Sequence, residues 1–269
     1  MTKELDIAVK AAIEAGKIQL DCVGTNLGIE KKCDLSPVTR ADKMCEAKIR
    51  EIILGAFPGD AFLGEETGES AAASSSNRRR WIVDPIDGTR PFIRGIPTHS
   101  VLIALEEDGV PVIGVIHLPA MGLTCRAYRG GGAFLNEVRI GVSQIGKLSD
   151  AMGSVLGITE YADDPLGWRL INLTRAWDYT YGFMDAYSYV LLACGKLDAC
   201  VNLLDKPWDC AAAACIVTEA GGAFSDISGK KSVHNGSFVL TNGALHDEVL
   251  TFLADDVLTG IDTCTLSLM

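Results

Sequence analysis

The stretch Trp81-Ile82-Val83-Asp84-Pro85-Ile86-Asp87-Gly88-Thr89 constrains this chain more than any other. Its apolar start reads as the end of a buried strand. Two carboxylates follow, separated by a proline. Pro85 fixes its own φ and removes a backbone donor, so the chain is expected not to continue simply as a central strand. Gly88 lets the backbone approach a ligand closely, and Thr89 can cap a following helix. Carboxylates beside exposed N–H groups suit a hard cation together with an oxyanion such as phosphate. Taken alone, the same residues also describe an acidic turn leading into a capped helix.

The flanking chain reads as alternating elements. Apolar spacing predicts a helix over 4–21 and a second over 41–57, stopped by Pro58-Gly59-Asp60. Between them, residues 23–32 read as extended and 34–39 as a connector. Ala61-Phe62-Leu63 is a short strand ending in Gly64-Glu65-Glu66-Thr67, and residues 70–80 are a small, polar loop closing on Arg78, Arg79 and Arg80. Those arginines could greet an anionic substrate, but a solvated face is the better reading. A short helix at 90–94, strands at 99–105 and 110–118, and a meander over 124–142 complete an α+β half. After Leu148 strands and helices alternate. Strands are expected at 153–158, 179–182, 197–203, 223–224 and 238–240, and helices at 164–175, 185–194, 208–220 and 245–253. The expectation is an α+β half over 1–147 and an α/β half over 148–269, with a site between them.

A formal net charge of −11 argues against nucleic acid as the main partner, and part of it could be a cation site. Nine cysteines without a C-x-x-C pair, and only four histidines, do not suit structural zinc and fit free thiols in a reducing cytoplasm. The apolar residues of 5–20 are interrupted by Lys10, Glu14 and Lys17, and those of 101–118 by Glu106, Glu107 and Asp108. A soluble cytoplasmic protein without a membrane span is expected.

Acidic residues stand at strand ends or helix mouths in four places: Glu65-Glu66, Asp84, Asp87 and Asp209. In an extended chain Glu65 and Glu66 point to opposite faces, so only one is expected to be a primary ligand. Asp209 opens an alanine-rich helix in Lys206-Pro207-Trp208-Asp209-Cys210-Ala211, where a plain helix cap is the alternative. The blocks Gly64-Glu65-Glu66, Trp81 to Thr89, Trp208-Asp209-Cys210-Ala211-Ala212 and Thr218-Glu219-Ala220-Gly221-Gly222, with Val38-Thr39-Arg40-Ala41-Asp42, resemble the signature blocks of the inositol monophosphatase-like family in order and separation. The resemblance implies a layered αβαβα sandwich and a Mg²⁺-dependent phosphomonoesterase using two or three ions. It further implies that Glu65, Asp84 and the Ile86 carbonyl hold one metal, and that Asp84, Asp87 and Asp209 hold a second. Glu65, with Thr89 and Asp42 behind it, would position the attacking water, and the Gly88 and Thr89 N–H groups would hold phosphate. Oxygen-only ligands agree with Mg²⁺, and two cations can activate water and neutralise the leaving oxygen in line.

The segment Tyr181-Gly182-Phe183-Met184-Asp185-Ala186-Tyr187-Ser188-Tyr189, with Lys206-Pro207 before Trp208, is similar to the histidinol-phosphate phosphatase branch of that family. Asp185 could pair with a substrate ammonium or imidazolium, or simply cap a helix. Two departures stand out. Asn202, seven residues before Asp209, occupies a place where the family often has an acidic residue touching the substrate; Arg90-Pro91 replaces the usual polar residue before Phe92. The substrate side is thus assigned Asp87, Asp185, Asn202 and Asp209. The expected reaction is hydrolysis of L-histidinol phosphate, within histidine synthesis, with inositol 1-phosphate as the alternative ester. A catalytically silent binding subunit is the non-enzyme alternative; the presence of every expected acidic ligand argues against it. A homodimer is the family expectation.

Overall fold

The computed structural model describes residues 2–72, 78–158, 165–182 and 185–254. The tip of the 70–80 loop, Asp164, Phe183, Met184 and Cys264 lie outside the described residues.

Helix α1 (Lys3–Cys22) starts where the Thr2 hydroxyl accepts the Leu5 N–H, and buries Leu5, Ala8, Ala11, Ala12 and Ala15 along one face. A ribbon of β1 (Glu30–Lys31) and β2 (Pro37–Val38) leads into α2 (Arg40–Ala56). This ribbon replaces the expected extended stretch and connector. Two-residue strands leave no period to read.

The large sheet has eight strands in the order β10-β9-β8-β7-β6-β5-β3-β4. In chain order these are β3 (Ala61–Gly64), β4 (Gly68–Ser70), β5 (Arg79–Asp87), β6 (Ser100–Glu107), β7 (Val110–Leu118), β8 (Leu123–Tyr128), β9 (Gly132–Leu135) and β10 (Val138–Ile140). A short helix α3 (Thr89–Ile93) follows β5. The second sheet has the order β12-β11-β13-β15-β14: β11 (Met152–Val155), β12 (Tyr179–Thr180), β13 (Ala199–Asn202), β14 (Ala223–Ser225) and β15 (Phe238–Thr241). Its helices are α4 (Pro165–Ala176), α5 (Asp185–Ala193), α6 (Pro207–Glu219) and α7 (His246–Ala254).

Strand β6 explains the layering. Val101, Ile103 and Leu105 enter the core under α1 and α2, whereas Leu102 and Ala104 enter the core shared with α5 and α6. Side chains alternate across a strand, so a continuous apolar run means burial on both faces. The α5/α6 layer also packs on the second sheet, whose far face carries α4 and α7. The order is therefore α1/α2, large sheet, α5/α6, small sheet, α4/α7: the layered αβαβα arrangement. Among the described residues no helix is long and apolar enough to cross a membrane.

Two local expectations are corrected. Strand β5 does continue through Pro85 to Asp87, but its pairing with β6 is interrupted between Asp84 and Asp87. The proline is absorbed by a bulge, where its missing N–H costs no ladder bond. Of the three arginines, Arg78 lies on the expected solvated face, whereas Arg79 and Arg80 are partly buried in ion pairs. Arg78 pairs with Asp108, Arg79 with Glu4 and Asp60, and Arg80 with Glu69 and Glu106, fastening β5 to its neighbours.

Candidate active site

The bulge in β5 is held from three sides. The Asp84 Oδ1 accepts the Ile86 N–H at 2.9 Å, closing the turn over Pro85. From α1, the Gln19 amide donates to the Pro85 carbonyl at 2.8 Å and its Oε1 lies 2.6 Å from Nδ1 of His99. Burial pushes the His99 pKa down to about 4, so this ring is a neutral strut. Gly88 then takes a left-handed φ of 78°, which turns the chain into α3.

Glu65 leaves the end of β3 on a turn built by Glu46. This buried carboxylate accepts the N–H groups of Glu66 and Thr67 at 2.8 and 2.9 Å. A Cβ on Gly64 would lie within 2.6 Å of all three atoms of that carboxyl group, so only glycine admits it. Asp42 closes the capping box of α2: its Oδ2 accepts from the Thr39 N–H and hydroxyl, and its Oδ1 lies 3.4 Å from the Thr89 hydroxyl. That hydroxyl is also 3.2 Å from the Ile86 carbonyl oxygen. Asp209 sits in the first turn of α6, accepting the Lys206 N–H at 2.8 Å, so it both caps the helix and faces the site.

These groups open on one cavity of about 390 Å³ lined by Glu65, Asp84, Ile86, Asp87, Gly88, Thr89, Asp185, Asn202 and Asp209. Every sequence-assigned residue except Asp42 lines it, and Asp42 stands directly behind Thr89. The cavity wall adds Ser36, Pro37, Tyr189, Leu204 and Asp205.

The electrostatics are those of crowded negative charge. Asp84 is raised well above the usual carboxylate range by burial and then by Glu65, Asp87 and Asp209. Asp87 is raised well above it by burial and the charge of Asp185, although Ser100 and the Ala186 N–H each donate to its Oδ2 at 2.8 Å. Burial and the charge of Glu65 push Asp209 up to about 7, and burial alone pushes Asp185 up to about 6. Unneutralised carboxylates at such spacing favour protonation or a bound cation. One cation is already present: the Lys32 ammonium pairs with Glu65 at 2.6 Å and Glu66 at 2.7 Å. Burial alone would lower the Lys32 pKa, but the hydrogen bonds and charges of the two glutamates outweigh this and raise it. Among the described residues no three acidic, histidine or cysteine side chains form a closed metal cage. The site is a ring of hard oxygen donors, a donor set that fits a Mg²⁺-like ion sharing its shell with water and substrate oxygens.

Sequence reasoning missed Gln19, Lys32, Glu46 and Asp205. Each is a single polar residue whose partner lies far along the chain or within an irregular loop, so no spacing marks it.

Comparison with known proteins agrees with this geometry. Residues 1–257 match the model of the inositol monophosphatase family. The chain is 42% identical over 248 residues to a histidinol-phosphatase of Chlorobaculum parvum, covering 91% of this chain and 94% of that protein. It is 33% identical over 248 residues to a fructose-1,6-bisphosphatase/inositol-1-monophosphatase of Thermotoga maritima, with the same coverage of each. The crystal structure of extragenic suppressor protein suhB from Bartonella henselae superposes with a TM-score of 0.87 at 30% identity, covering 95% of this chain and 100% of that one. With an acid-lined cavity at the end of β5, the same layers, and a family match over nearly its whole length, this chain belongs to the inositol monophosphatase family, and it is a phosphoric monoester hydrolase of that metal-dependent family.

Proposed function

We propose that the ester is L-histidinol phosphate, cleaved to L-histidinol and phosphate with Mg²⁺. The observation that carries this reading is Asp185. It lines the cavity at a left-handed φ of 57°, uncommon for a residue with a side chain, and its Oδ2 is buried without a hydrogen bond. A strained residue presenting an unsatisfied anionic oxygen suits a cationic group on the substrate better than the hydroxyls of a neutral polyol. The 42% identity to two histidinol-phosphatases supports the same choice.

In this reading Glu65, Asp84, the Ile86 carbonyl, Asp87 and Asp209 hold two or three Mg²⁺ ions, which when bound acidify water and neutralise the leaving oxygen. Thr89 orients the water through its hydroxyl, and Asp42 behind it receives the hydrogen bond. The Gly88 and Thr89 N–H groups hold phosphate oxygens. Asp87 is steered by Ser100 and Ala186, so its free oxygen stays directed at the ligand. A homodimer goes with this reading as the assembly.

The test is phosphate release from L-histidinol phosphate and from inositol 1-phosphate, with Mg²⁺ and with EDTA. A kcat/KM at least tenfold higher for histidinol phosphate is expected, about 1.4 kcal/mol of differential transition-state binding. A preference for inositol 1-phosphate would overturn the substrate, and release persisting in EDTA would overturn the metal.

Metal binding should also be visible in stability. The folded-state pKa of Asp209, about 7, lies above that of an unfolded aspartate. Such a group costs stability progressively as pH rises from the unfolded value towards the folded one. In EDTA the thermal midpoint should therefore fall between roughly pH 4 and 7. Mg²⁺ should reverse much of that fall, so its stabilising effect should be larger at pH 7.5 than at pH 5.5. A Mg²⁺ effect independent of pH would show that these carboxylates are not its ligands.

A further inference from the structure

The acidic residue expected seven positions before Asp209 is an asparagine here, yet the cavity is not short of an acid at that wall. Asp205, three residues on, lines it and is only 4% exposed. Asn202 and Asp205 form one unit. The Asn202 amide donates to Asp205 Oδ1, while its own Oδ1 accepts the Leu204 N–H at 3.3 Å. The unit is anchored at both ends: Asn202 pairs with Phe238 across β13 and β15, and the Asp205 N–H donates to the Gly236 carbonyl at 3.2 Å. From α5 the Tyr189 hydroxyl also donates a hydrogen bond to this carboxyl group. Asp205 Oδ2 is buried and accepts no hydrogen bond.

A buried carboxyl oxygen that itself accepts no hydrogen bond is costly, and its persistence needs an explanation. Among the described residues no cation is paired with it: Lys206, the next residue, is exposed, and Lys32 is committed to Glu65 and Glu66. The cavity wall is mixed, and Leu156, Gly157 and Leu204 line it together with Asp205. That combination suits an organic body carrying one ammonium group, which can donate a charge-assisted hydrogen bond to Oδ2.

We infer that Asp205, held in place by Asn202, recognises the ammonium of an amino-alcohol phosphate, which leaves Asp185 to face the imidazole end of the substrate. The inference rests on the substrate reading given above and deepens it. The acid has moved three positions along the loop, and Asn202 has become its positioning residue: it neutralises one oxygen with an amide donor and leaves the other for the ligand.

The experiment compares kcat/KM for L-histidinol phosphate and for its deaminated analogue, imidazolylpropyl phosphate, in the wild type, Asp205→Asn and Asn202→Ala, with full-length protein and saturating Mg²⁺. The wild type is expected to prefer the amine-bearing ester at least tenfold, on the scale of one hydrogen bond to a charged group. In Asp205→Asn that ratio should fall towards one, chiefly through KM for the amine-bearing ester. In Asn202→Ala it should fall at least threefold, because Asp205 loses its orientation. A wild type without preference overturns the amine-bearing substrate itself, and this inference with it. A wild-type preference that survives in Asp205→Asn overturns the role of Asp205 alone. Equal losses on both esters do the same, because a metal-holding or structural role would not distinguish them. Should Asp205→Asn fail to fold, Asn202→Ala decides: an unchanged ratio there overturns the assignment.

Discussion

An Asp84→Asn enzyme is expected to lose at least about 10³-fold in kcat with Mg²⁺ present, about 4 kcal/mol of transition-state stabilisation. In EDTA, by contrast, its thermal midpoint should stay level or rise. The two effects have opposite signs for one reason. Asp84 is 2% exposed, and its charge is opposed by burial and by Glu65, Asp87 and Asp209. Without a cation that charge is a burden, and removing it relieves the fold. With cations bound the same charge is what holds them. Asparagine keeps the shape of the side chain and an Oδ1 that can still accept the Ile86 N–H, so the bulge should survive. The measurement is turnover alongside thermal unfolding, with and without Mg²⁺. Near wild-type turnover would remove Asp84 from the metal site. A large fall of the midpoint in EDTA would make its role structural.

The contrast between charge and shape also explains what could be read from the sequence. Strand β6 was legible because an uninterrupted apolar run of that length has few other uses, and α6 because it is alanine-rich and ends on Gly221-Gly222; the burial of β6 on both faces became visible only with the layers. The acidic cluster was legible because Glu65, Asp84, Asp87 and Asp209 each follow an apolar strand or open a helix. The layer order came from resemblance, since no periodicity says which sheet lies on which helix. Pro85 was misread because a proline in a strand looks like a stop, whereas Gln19, 66 residues earlier, supplies a donor that holds the bulge in the strand. Arg79 and Arg80 were misread because ion pairs to Glu4 and Glu106 are invisible without the sheet register. Asp205 was passed over because its meaning depends on Asn202, and the pair is recognisable only once the loop after β13 is folded.

Gly114→Ala should cost about 3 kcal/mol of stability, at the upper end for an overpacked core, and lower the thermal midpoint by about 6–12 °C. Gly114→Val should not give a stably folded protein. Gly114 lies in β7, inside the large sheet, and α6 crosses it so closely that a Cβ would stand 2.3 Å from the Ala212 carbonyl oxygen and 3.1 Å from its carbon. A clash with helix backbone cannot be relieved by a rotamer change. Helix α6 cannot retreat freely either, because Cys210 to Val217 are all buried where it lies between two sheets. The only outlet is a shift of the whole helix, and its first turn carries Asp209. The substitution should therefore also weaken the stabilisation by Mg²⁺, although Gly114 touches no part of the cavity. Gly55→Ala is the control: it is a helical position with nothing within 4 Å of the added atom, and should raise stability by about 0.5–1 kcal/mol. Unfolding by denaturant measures all three variants. A Gly114→Ala protein as stable as the wild type would mean that α6 slides outward at no cost, and that something other than its contact with β7 fixes the position of Asp209.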